Sequence, residues 1–110
     1  MYEKHDEHYG EFNGVRLCWF ERYPELRESG TVLLVHATGF HARCWDAVVR
    51  GLGERHVIAL DMRGHGRSDK KGPYGWDVFG NDVVAFLNDL DLRNVTAVGH
   101  SFGGYLALAL

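Results

Sequence analysis

A serine enclosed by small residues, Gly99-His100-Ser101-Phe102-Gly103-Gly104, stands where an apolar, β-branched run meets a helix-forming one. The run before it, Val95-Thr96-Ala97-Val98, reads as a buried strand, and Tyr105 to Leu110 after it is rich in helix formers. A chain that passes from strand to helix in so few residues must turn sharply. The turn packs positions 99 and 103 against backbone, so side chains there would clash. It also leaves Ser101 strained, with its hydroxyl pushed out of the sheet. The helix starting beside it favours negative charge at its N-terminus. An ordinary serine in a glycine-rich turn is the plain alternative. Gly-x-Ser-x-Gly in a strand–turn–helix context points instead to a nucleophile elbow.

Two further apolar runs end in loops of similar character. Thr31-Val32-Leu33-Leu34-Val35 empties into His36-Ala37-Thr38-Gly39-Phe40-His41, and His56-Val57-Ile58-Ala59-Leu60 into Asp61-Met62-Arg63-Gly64-His65-Gly66-Arg67-Ser68-Asp69. Continuous apolar strands separated by helical segments are buried on both faces and predict a mostly parallel sheet in a three-layer α/β/α sandwich. All three loops then lie at the carboxyl ends of the strands, where open α/β sheets bind ligands.

The rest of the chain fits one domain over residues 1–110, without repeats or low-complexity linkers. Segments 8–13 and 15–22 read as a hairpin turned at Asn13-Gly14, with Val15, Leu17 and Trp19 alternating with Arg16, Cys18 and Phe20 so that both faces are partly covered. Trp45, Val48, Val49 and Leu52 fall at helical spacing, with Gly53 as a stop; Phe79, Val83, Phe86, Leu87 and Leu90 repeat the pattern behind Asp77 as N-cap. Both stripes read as core. Gly72-Pro73-Tyr74-Gly75 marks the loop into the second helix.

Composition narrows the partners. A net charge of −3 without a basic run gives no purchase on nucleic acid, and no apolar stretch is long enough to span a membrane. Residues Met1 to Glu11 lack the apolar core of a signal peptide, so cytoplasmic residence is expected, and Cys18 and Cys44 are expected as free buried thiols. Rival site chemistries are poorly supported. Ser101 replaces the middle glycine of a dinucleotide fingerprint, and no Gly-Lys-[Ser/Thr] phosphate loop is present. His36, His41, Asp61 and His65 show no His-Glu-x-x-His spacing, so no metal is expected. Oligomeric state is left open by the sequence.

Together these motifs resemble the α/β-hydrolase family over nearly the whole chain. That family carries His-Gly-x-x-Gly after its third strand and a tryptophan at its first helix; here stand His36-Ala37-Thr38-Gly39-Phe40 and Trp45. Its Asp-x-Arg-Gly-x-Gly-x-Ser is matched by Asp61, Arg63, Gly64, Gly66 and Ser68, and its nucleophile elbow by Gly99, Ser101 and Gly103. Ala37 departs from the usual glycine and narrows the backbone conformations beside the oxyanion loop.

The resemblance implies that Ser101 attacks an acyl carbon to form an acyl-enzyme, with the N–H groups of Phe102 and Thr38 receiving the oxyanion. It implies no cofactor and a small-molecule acyl substrate carrying an ester, lactone or thioester. Dehalogenases and epoxide hydrolases of this fold use aspartate at the elbow, whereas C–C hydrolases, peptidases and perhydrolases share the serine. His36 is expected to fix its loop, and His100 to point to the opposite face from Ser101. Asp61 and Arg63 are expected to form a loop-stiffening ion pair, and Gly64 and Gly66 to allow tight turns. Phe40 and His41 sit equally well at the pocket mouth, in packing, or in solvent.

The family's triad runs serine, acid, histidine. Here His5, His8, His36, His41, His56, His65 and His100 all precede or adjoin Ser101, and the chain ends in an apolar helix without a cap. The chain is therefore expected to be the amino-terminal part of a hydrolase, inactive alone because no base follows Ser101, and poorly soluble because its fifth strand lacks the neighbour that the resemblance implies. A non-catalytic binding scaffold on the same fold is the other reading.

Overall fold

The computed structural model describes residues 6–109, and His5 and Leu110 lie outside them. The hairpin forms as expected: β1 (Glu7–Phe12) and β2 (Val15–Arg22) pair antiparallel around a turn in which Asn13 (φ 51°) and Gly14 (φ 80°) are both left-handed. That is the backbone twist a two-residue hairpin requires. The apolar runs become β3 (Thr31–Val35), β4 (His56–Leu60) and β5 (Val95–Gly99). The strand order is β1-β2-β4-β3-β5. β3 pairs parallel with both β4 and β5, while β2 pairs antiparallel with β4, so the sheet is mixed.

Helices cover both faces. α1 (Asp46–Leu52) follows a 3-10 turn at Ala42–Trp45 and stops at Gly53, whose φ is 68°. Its Val49 packs with Cys18, Phe20, Leu34, Val57 and Ala59 on one face of the sheet. α2 (Trp76–Asp89) and α3 (Phe102–Ala109) pack on the other, where Phe79, Val83, Phe86 and Leu106 meet Leu17, Leu33, Ile58 and Leu60. This is the three-layer sandwich that the sequence implied. Alternate residues of β2 enter the two cores, as its two-sided apolar pattern required.

Three local expectations are corrected. Gly75, not Asp77, caps α2, and Asp77 lies in its first turn. Val48 belongs to no core, being 44% exposed on α1's outer side. Cys18 is buried, but Cys44 is exposed, since the 3-10 turn that carries it faces outward. No described helix is long and apolar enough to cross a membrane.

The topology itself selects a place for a site. The helix after β3 lies on one face, and the helix after its neighbour β5 lies on the other. The two following loops therefore diverge and leave a crevice at the carboxyl ends of β3 and β5, the switch point at which α/β sheets bind ligands.

Candidate active site

Val35 and Gly99 are paired at the carboxyl ends of β3 and β5, so the Thr38 and Ser101 loops leave adjacent strands side by side. Ser101 is exposed with φ 57°, a left-handed conformation that a serine adopts only under strain. What holds it there is backbone packing on either side. A Cβ at Gly99 would overlap the Gly103 carbonyl, and a Cβ at Gly103 would overlap the Val35 carbonyl. The His100 amide donates to Val35 O (3.1 Å), and the Gly103 amide turns back to His100 O (3.0 Å). Among the described residues the Ser101 hydroxyl has no hydrogen-bond partner. The Phe102 amide opens α3, at a position that has no acceptor within its own helix.

The Thr38 loop is a tight turn. The Phe40 amide closes it onto Ala37 O (3.0 Å) with Gly39 at φ 86°, the left-handed position that favours glycine, while the Thr38 amide takes no part in that bond. Ala37 is accommodated and 5% exposed. His36 braces the turn from beneath. The Met62 amide donates to its Nε2 (3.0 Å), so the proton rests on Nδ1, which donates to Ala37 O (2.8 Å). Burial holds its pKa below the usual histidine value, which keeps the ring neutral. With both nitrogens engaged, His36 is a brace and is not placed to shuttle protons.

Asp61 and Arg63 do not pair with each other as expected. The Asp61 carboxylate accepts from the amides of Ala42 (2.7 Å) and Arg67 (2.9 Å), tying its loop to the turn that starts α1. Arg63 instead makes a two-pronged ion pair with Asp82 of α2, both contacts 2.9 Å. Asn13 Nδ2 donates to the same carboxylate (3.2 Å), and Arg63 also reaches Asn13 O (3.4 Å). The sequence reading missed Asp82 and Asn13. The available signal was an acidic residue on the apolar stripe of α2, three places after Phe79; a buried charge requires a partner. Gly64 (φ 80°) and Gly66 (φ 53°) do form tight turns, and a Cβ at Gly66 would overlap the Asp61 carboxylate.

His100 lies on the α1 side, its ring 6.0 Å from Phe40, beside an open apolar groove of about 480 Å³ that also reaches Trp45 and Val48. Phe40 lines this groove and is 50% exposed, and His41 is exposed, so neither belongs to a core. Phe102 points the other way, with ring centroids 5.3 Å from both Phe79 and Trp76. A larger cleft, about 590 Å³, opens at the amino ends of the strands, and none of the sequence-predicted site residues lines it. Among the described residues no group of three or more His, Cys, Asp or Glu is arranged to hold a metal ion.

The geometry has counterparts in known proteins. A family described as "Alpha/beta hydrolase family" matches residues 32–110. The lipase LipV of Mycobacterium tuberculosis is 37% identical over 79 residues, covering 72% of this chain and 30% of its own. The non-heme chloroperoxidase CPO-A1 of Kitasatospora aureofaciens is 34% identical over 85 residues, covering 74% of this chain and 31% of its own. The crystal structure of the enol-lactonase from Burkholderia xenovorans LB400 superposes with a TM-score of 0.84 at 27% identity, over 93% of this chain and 40% of that one. The chain spans less than a third of the length of these curated relatives.

Proposed function

The chain belongs to the alpha/beta hydrolase family, and from that premise we propose that the protein carrying it is a serine hydrolase of carboxylic ester, lactone or thioester bonds. The observation that carries this reading is Ser101, held exposed at φ 57° between two glycines that backbone leaves no room to replace. Strain of this kind is retained where surrounding packing over-determines it, and it clusters at reacting groups. A lipase and an enol-lactonase among the similar proteins agree with acyl chemistry.

In the proposed reaction the Ser101 oxygen adds to the acyl carbon as a histidine takes its proton. The carbonyl oxygen becomes an oxyanion between the amides of Phe102 and Thr38. One such donor contributes about 3–4 kcal/mol of transition-state stabilisation. Collapse breaks the bond to the leaving group, which takes the proton back from the histidine, and water then hydrolyses the acyl-enzyme. His36 cannot supply the base, because Met62 occupies its Nε2. By family resemblance the acid and the histidine fall beyond Ser101. Asp61, Arg63, Gly64 and Gly66 shape the neighbouring loop and do not touch the reacting atoms.

The test uses the full-length protein. Fluorophosphonate should label it at Ser101, and short p-nitrophenyl esters should turn over, with Ser101→Ala abolishing both. Turnover unchanged in Ser101→Ala would sink the serine reading. A full-length protein that neither labels nor turns over would return the fold to a binding scaffold.

A further inference from the structure

Asn13-Gly14 serves the fold as a turn, but the pair also carries chemistry of its own. We propose that Asn13 is a site of spontaneous modification, at which the Gly14 nitrogen displaces the side-chain amide and a carboxylate finally stands beside Asp82. The co-reactant is water, and the inference is independent of any role of Ser101.

The step balances within the turn. The Gly14 nitrogen attacks Asn13 Cγ, the Cγ–Nδ2 bond breaks, and Nδ2 leaves as ammonia with the proton from Gly14. Water then opens the cyclic imide. Breaking the new N–Cγ bond gives aspartate. Breaking the original peptide bond gives isoaspartate, whose main chain runs through Cγ.

Local structure singles out Asn13 among the asparagines. Gly14 has no side chain to shield its nitrogen, and a Cβ built on it would meet nothing within 4 Å. Among the described residues its amide has no backbone acceptor. Asn81 and Asn88 instead lie within α2, where the following amide is held in the helical ladder, and Asn94 precedes the β-branched Val95. The restraint on Asn13 Nδ2 is its bond to Asp82 Oδ1, which at 3.2 Å is at the long end of the normal range.

The product acts on that same bond. Asp82 Oδ1 accepts from Arg63 Nη2 (2.9 Å) and from Asn13 Nδ2. A carboxylate at position 13 has no proton to give, so a donor is lost and two anions share one guanidinium. Isoaspartate also lengthens the main chain of a turn whose residues sit at φ 51° and 80°, and so disturbs the Phe12–Val15 pairing that closes the hairpin. Modification therefore loosens the hairpin from the loop that carries Arg63.

The experiment ages the full-length protein at mildly alkaline pH and follows each asparagine by peptide mass spectrometry, with chromatography separating aspartate from isoaspartate. Asn13 should convert several-fold faster than Asn81, Asn88 or Asn94. In parallel, Asn13→Asp supplies the aspartate product directly, and its urea midpoint should fall below that of wild type. Added salt should narrow the gap, because it screens the two carboxylates. Conversion at Asn13 no faster than at the other asparagines overturns the site. A variant as stable as wild type in low salt, or a gap that salt leaves unchanged, overturns the charge conflict with Asp82.

Discussion

Ser68 and Ser101 sit in two glycine-rich loops at the same end of the sheet, and their surroundings are opposite. Ser68 is 2% exposed; its hydroxyl donates to Asp61 O (2.7 Å) and accepts from the Cys18 amide (2.8 Å). The loop around it is sewn to β2 by paired bonds between Arg16 and Asp69, each 2.8 Å. Ser101 is exposed, strained at φ 57°, and without a hydroxyl partner among the described residues. A hydroxyl that completes a buried network is consumed by it. One that packing forces into the open, with its lone pairs unspent, is left for a reactant. The same residue type thus completes a buried network in one loop and, in the function proposed above, is the nucleophile in the next.

Exchanging each serine for alanine gives the largest contrast. Ser101→Ala should lower ester turnover of the full-length protein by about 10⁴-fold or more while leaving its melting temperature near wild type. A variant that lost stability instead would erase the distinction between the loops. Next comes the network behind Ser68. Asp82→Ala strands the buried Arg63 and should cost about 3–5 kcal/mol in urea denaturation; a cost below about 1 kcal/mol would mean the pair is not buried in solution. Gly103→Ala drives a methyl into the Val35 carbonyl and should cost about 3 kcal/mol in the same assay. Ser68→Ala orphans the Cys18 amide and should cost about 1–3 kcal/mol, with activity little changed.

The smallest effect is pH-dependent. Burial pushes the pKa of His36 down in the folded state, so its contribution is complete above the unfolded value, about 6.5, and is lost as pH falls below it. Glu21 is held below the usual carboxylate range chiefly by its hydrogen bond to His56 (2.6 Å). Its contribution is complete above the ordinary glutamate value, about 4.3, and is lost as pH falls through the lowered one. Stability should therefore decline in two stages on acidification. His36→Gln should flatten the first stage and Glu21→Gln the second. A protein that grew more stable between pH 7 and 5 would contradict the buried neutral His36.

The strands, the core stripe of α2 and the strand–turn–helix geometry at Ser101 were legible because each writes a local pattern. β-Branched runs, Asn13-Gly14, and the glycines flanking Ser101 specify backbone through their own sterics. The partner of Arg63 was not legible. Asp61, two residues away, is the local candidate, whereas the residue that answers it, Asp82, comes from another element. The cap of α2 was misread because Asp77 is a good capping residue, yet the chain enters the helix two residues earlier through Gly75. The rings on Phe102 were invisible for the same reason as Asp82. Trp76 meets Phe102 only after α2 and α3 dock on one face.

The node joining Asn13, Arg63 and Asp82 also sets a schedule for biosynthesis. Its bonds span 19 residues from Arg63 to Asp82, 50 from Asn13 to Arg63, and 69 from Asn13 to Asp82. On a ribosome the hairpin emerges with local pairing to form at once, but Arg63 must await a carboxylate that is still being translated. Until α2 leaves the exit tunnel, the guanidinium stays in water and the loop that carries it stays unset. The nascent chain therefore acquires its amino-terminal edge first, the loop around Arg63 when Asp82 arrives to close the knot, and the turn at Ser101 after both.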